Sequence, residues 1–146
     1  MSNFDSDKET LLRDLAESRA TLSATLENLT PDDFGRARRG SWPVSRILDH
    51  VLHSERLYTQ LISVFNGKPV TAAAENVAPA TASVALATLS TSRGGLLNAA
   101  AQVQEKDFYD LRTIGHEEYS ALSVLENAAA HDREHADQIR KTLAES

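Results

Sequence analysis

The chain contains no cysteine. Disulfides, thiolate metal ligands and cysteine nucleophiles are therefore excluded, and any metal ligand that the protein supplies must be histidine or carboxylate. Positive charge is also short: 15 Lys and Arg stand against 21 Asp and Glu, for a formal net charge of -6 and a pI near 5.3. The one basic run, Arg36, Arg38 and Arg39, suits a solvated loop or a helix entry, so no nucleic-acid partner is expected. Nowhere do about 18 apolar residues run together. The start, MSNFDSDKETLL, is polar and acidic where a signal peptide would be basic and then apolar. A soluble, cytoplasmic protein without a membrane partner is the expectation. No stretch carries a sustained period of two in β-branched or aromatic residues, and no internal repeat or low-complexity tract intervenes.

What is present is helical periodicity, in four stretches. At 146 residues the chain is long enough to bury a core and too short for two comfortable ones, so residues 1–146 are expected to form one domain with one site. The first helix is predicted from about Ser6 or Asp7 to Leu29, with Leu15, Leu22, Leu26 and Leu29 along one stripe. Thr30 and Pro31 end it, and Pro31-Asp32-Asp33 resembles a short turn of helix. Val44 to Phe65 is predicted as the second helix, capped by Ser41 with Pro43 in its first turn. Asn66-Gly67-Lys68-Pro69 stops it, and the alanine-rich segment to Pro79 is a loop. A third helix should run from Thr81 or Ser83 to Phe108. Gly94-Gly95 in its middle costs on the order of 1 kcal/mol per glycine, which points either to close helix packing or to a kink. After a turn at Ile114-Gly115-His116, the fourth helix runs from Ser120 to Leu143. Four such helices make an all-α four-helix bundle the default architecture.

Of the five histidines, the informative pair lies in His131-Asp132-Arg133-Glu134-His135. Residues four apart on a helix sit one turn up the same face, so both imidazoles can converge on one ion. At about 100° per residue they share the sector of Val124 and Ala128 and should point into the bundle. The spacing alone is a weak signal and needs a third ligand. His50, on the flank of the second helix's apolar stripe, is the inward candidate, whereas His53 lies further round beside Asp49, Arg56 and Gln60. His116 is a loop histidine near a helix start. Three imidazoles buried together without an ion must stay hydrogen-bonded and neutral, because positive charge in an apolar core is costly; a shared divalent metal removes that conflict. Three nitrogen ligands with a fourth position left open is the arrangement of catalytic zinc sites, though nickel, iron or manganese would also accept imidazole.

Two carboxylates, Glu55 and Asp132, project toward apolar sectors and need partners. They are the catalytic candidates, either orienting a ligand histidine or carrying a proton. The alternative is an internal hydrogen bond to a tyrosine, a serine or Trp42.

The segment Trp42-Pro43-Val44-Ser45-Arg46-Ile47-Leu48-Asp49-His50 followed by Glu55-Arg56, and the segment His131-Asp132-Arg133-Glu134-His135-Ala136-Asp137-Gln138-Ile139, resemble the two motifs of the DinB/YfiT-like superfamily. The resemblance extends to the helix order and covers the whole chain. It implies an up-down-down-up bundle, a nickel or zinc ion held by three histidines that map onto His50, His131 and His135, and a homodimer. Some relatives are thiol-dependent transferases or isomerases. Two functions compete on this footing. One is a metal-dependent enzyme, a transferase, isomerase or hydrolase acting on a small molecule; lacking cysteine, it would receive any low-molecular-weight thiol from solution. The other is a metal-stabilised dimeric binding or stress-response module without catalysis.

Overall fold

A computed structural model describes residues 3–36, 39–69 and 78–144. Arg38 and the alanine-rich stretch 70–77 lie outside the described residues. Six helices and one small hairpin are described: α1 (Asn3–Ala24), α2 (Pro31–Gly35), α3 (Val44–Phe65), α4 (Ala82–Gln102), α5 (Glu105–Phe108), β1 (Arg112–Ile114), β2 (Glu117–Tyr119) and α6 (Ala121–Ala144). The four long helices are the four that periodicity predicts. No described helix is long and apolar enough to cross a membrane.

The ends of these helices follow local chemistry. At α4 the Thr81 hydroxyl accepts from the Val84 amide, 3.1 Å, and at α6 Ser120 and Ser123 each accept the other's backbone N–H at 3.0 Å, a reciprocal box that satisfies two orphan donors. The expected Ser41 cap does not form: Pro43 is the N-cap of α3 and no side chain caps that helix. The first helix ends at Ala24, earlier than predicted: Thr25, Leu26 and Glu27 donate to the carbonyls three residues back, a tighter turn, and Asn28 then takes a left-handed conformation, φ 61°. Leu26 still packs in the core from the turn that follows. The third helix ends at Gln102 and resumes as α5. The turn at Gly115 is flanked by two three-residue strands pairing Ile114 with Glu117, with Gly115 at φ 68° in the position a tight hairpin requires.

Two apolar clusters show how the helices run. One joins Leu11 and Leu15 of α1, Ile62 and Phe65 of α3, Leu96 and Ala100 of α4, and Ala121 and Leu125 of α6. The other joins Leu22 of α1, Ile47 of α3, Leu89 of α4 and Ile139 of α6. Passing from the first cluster to the second, α1 and α6 advance toward their C-termini while α3 and α4 retreat toward their N-termini. The bundle is therefore up-down-down-up, with α1 beside α6 and α3 beside α4.

Neither Gly94 nor Gly95 packs closely: both are exposed, a Cβ at either would meet nothing within 4 Å, and α4 is continuous through them. Alanine at Gly94 should accordingly raise stability by about 0.5–1 kcal/mol, because it removes backbone freedom from the unfolded chain without a clash. Thermal unfolding should show this as a rise of about 2–4 °C. A fall would mean that the glycines meet something the monomer does not contain.

Candidate metal centre

His131 and His135 sit one turn apart on α6, half-buried, and His50 of α3 faces them from the neighbouring antiparallel helix. One ring nitrogen from each lies within 4.8 Å of the other two. The His131 and His135 Nε2 atoms are 2.9 Å apart, and the His50 ring lies 5.3 Å from His131 and 4.9 Å from His135, centroid to centroid. His135 Nδ1 donates to the Gln138 side-chain carbonyl at 2.6 Å, which leaves the Nε2 lone pair turned into the cluster. Two Nε2 atoms at this separation must share one proton or one cation.

The surroundings favour neutral rings. Burial is the largest cause lowering the His131 pKa, to about 4, followed by the charges of His135 and His50. Burial also leads in lowering His50, reinforced by His135 and His53. Neutral imidazole is the form that ligates a metal. No further histidine or carboxylate joins the three among the described residues. Trp42 borders His50, ring centroids 5.9 Å apart, and Tyr58 meets the edge of His131 at 5.9 Å. A groove of about 450 Å³ opens onto His50 and His135.

Beside this cluster is a buried ionic layer. Arg19 of α1, Glu55 of α3, Arg93 of α4 and Asp132 of α6 are each at most 6% exposed. Arg19 donates twice to Glu55, at 3.0 and 2.8 Å, and twice to Asp132, at 3.3 and 3.0 Å, and its fifth N–H reaches the Leu89 carbonyl at 2.9 Å. Arg93 donates to Glu55 and to Asp132, both at 2.7 Å, and to the Leu15 carbonyl at 2.6 Å. Ser18 donates to Asp132 at 3.2 Å. Every carboxylate oxygen accepts, all five Arg19 N–H groups donate, and the formal charges cancel. Full pairing of this kind is what makes buried ions tolerable.

The three candidate histidine ligands are thus brought together. His53 is exposed on α3, and His116 is exposed in the hairpin turn, next to the start of α6 and away from the cluster. Glu55 and Asp132 are buried as their sectors suggest, but their hydrogen-bond partners are arginines and one serine rather than the imidazoles. Arg19 and Arg93 escaped the sequence reading, as did Gln138 in its contact with His135. The signal for the arginines was available: each interrupts a leucine stripe at helical spacing, between Leu15 and Leu22 and between Leu89 and Leu96, and two buried acids require two buried cations.

A family model described as the DinB superfamily matches residues 7–139. No curated protein and no solved structure matches the chain.

Proposed function

The chain belongs to the DinB superfamily, and from that premise we propose that it is a metal-dependent enzyme acting on a small molecule, with a low-molecular-weight thiol from solution as cosubstrate. The observation that carries this reading is the convergence of three nitrogen donors within 4.8 Å beside an open groove. The donor set fits a borderline metal such as zinc or nickel: three neutral imidazoles, one oriented by Gln138, with no fourth protein ligand among the described residues. When bound, the ion supplies Lewis acidity that favours the deprotonated form of a small ligand at its open position.

The chain's own groups do the rest. His50, His131 and His135 hold the ion, and Gln138 fixes the His135 tautomer. Of the roles open to Glu55 and Asp132, orientation suits them better than proton transfer, since their oxygens are committed to arginines; through the ionic layer they set the rotation of α3 and α6 that aims the histidines. Tyr58 and Trp42 wall the cluster. The reading includes a cytoplasmic location and, as the resemblance implies, a homodimer, which sedimentation would check.

Protein purified without a histidine tag should carry about one divalent ion per chain. Loaded with cobalt, it should develop a sulfur-to-metal charge-transfer band with small thiols, at thiol concentrations that fall as pH rises toward the ordinary thiol pKa. Cobalt-loaded protein indifferent to every thiol would remove the cosubstrate and turn the reading to hydrolysis. A spectrum already showing a fourth protein ligand would favour a structural ion in a binding module.

A further inference from the structure

The groove beside the three histidines has an asymmetric lining. His135, Gln138, Lys141 and Thr142 of α6 line it, together with Trp42 and with His50 of α3. No aspartate or glutamate is among its lining residues, and Lys141 is its one fully charged side chain. Lys141 is exposed, and neither a carboxylate nor a carbonyl claims its ammonium among the described residues. A second cation stands at the rim: the Arg46 guanidinium stacks over the Trp42 ring, 4.4 Å from its centroid, and it too has no carboxylate partner among the described residues. Asp137, one turn before Lys141 on α6, is paired with Arg140 at 3.1 Å.

A groove that offers one uncommitted cation, a second at its rim, an exposed aromatic wall and no acid selects negative charge and flat or apolar surface. We infer that its occupant is a small organic anion: a carboxylate set against Lys141, a carbon skeleton against Trp42, and a donor group directed at the three histidines. Lys141 follows His135 by six residues, about 9 Å along the helix axis. With the reach of the lysine side chain, this places the carboxylate a few bonds from the donor group. Arg46 adds to the positive field at the rim. The inference rests on the metal reading for the donor end of the ligand, and on the groove alone for the anionic end.

Lys141 also lies in the last turn of α6, where a cation complements the helix dipole. That structural role would move stability by a few tenths of a kcal/mol but would leave ligand preference untouched. A bound ion by itself attracts any anion, so the informative quantity is the change caused by the lysine. The probes are mercaptosuccinate, a thiol with two carboxylates, and 1-thioglycerol, a neutral thiol of similar size, each titrated into cobalt-loaded protein and followed by the visible spectrum. The wild type should bind mercaptosuccinate more tightly than thioglycerol. Lys141→Gln should cut that preference about three- to fivefold while leaving thioglycerol binding and cobalt content unchanged, the size expected of one partly exposed ion pair. Lys141→Arg should restore it, and added salt should weaken it in the wild type.

An unchanged preference in Lys141→Gln, or equal affinity for the two thiols in the wild type, would overturn the anionic assignment and leave the metal reading standing. Failure to take up cobalt would overturn the metal reading instead, and with it the donor end of this one.

Discussion

Arg93→Met should destabilise the bundle by about 3–5 kcal/mol, a large share of the roughly 5–15 kcal/mol that holds a domain of ordinary size. The loss of a long side chain is the smaller part of this. Glu55 and Asp132 would be left with Arg19 as their one cation, so one negative charge would stay buried without compensation, and the Leu15 carbonyl would keep the Ser18 hydroxyl but lose its guanidinium donor. Urea unfolding followed by circular dichroism measures it. The companion experiment is Arg93→Met combined with Glu55→Leu, which removes one charge of each sign. The double variant should cost clearly less than the sum of the two single changes, since neutrality is restored. A single-variant cost below about 1 kcal/mol would mean that water enters the ionic layer, and the assignment of a dry, fully paired quartet would fall.

His131→Ala or His135→Ala should take metal content from about one ion per chain to nearly none while leaving the helical circular dichroism in place. Either change removes one of three donors, so affinity should fall by more than the roughly 10- to 100-fold that follows loss of an outer partner. Gln138→Ala should lie within that range, because it frees the His135 tautomer without removing a ligand. His53→Ala should have no effect on metal content, its ring being exposed on α3. Elemental analysis after dialysis decides among these. Full occupancy in both alanine variants would end the site assignment.

Acid provides an independent check on the same residues. The His131 pKa is lowered to about 4, so between the ordinary value of 6.5 and about 4 the unfolded chain takes up a proton that the metal-free folded protein refuses. Stability of the metal-free protein should therefore fall as pH drops through that window, and it should be insensitive to this group above it. In His131→Ala the slope should be shallower.

The architecture was largely legible because long amphipathic helices repeat their signal many times: Val44 to Phe65 and Ser120 to Leu143 were delimited to within a residue or so by periodicity and punctuation. The inward aim of His50, His131 and His135 followed from the same geometry. What escaped depends on single residues. The strands about Gly115 are too short for alternation to show. The early end of α1 rests on a few backbone bonds after Ala24, and the glycine pair in α4 suggests a close approach that the bundle does not make. Arg19 and Arg93 each stand as a single polar break in an apolar stripe, a pattern that by itself names no partner. The burial of Glu55 and Asp132 could be read from their sectors, but pairing across four helices is a property of the tertiary arrangement, and no local window contains it.

The order in which the chain is made adds a constraint of its own. Because α1 packs beside α6, the first helix meets its main neighbour only when the last has been synthesised. Until Asp132 emerges, a nascent chain holding Arg19, Glu55 and Arg93 has two cations and one anion to place, and no neutral way to bury them. Early collapse of the first three helices therefore carries an electrostatic penalty that the fourth relieves. Folding of the bundle should be concerted, and a ribosome-stalled chain that stops short of α6 should stay protease-sensitive where a chain that includes α6 is resistant.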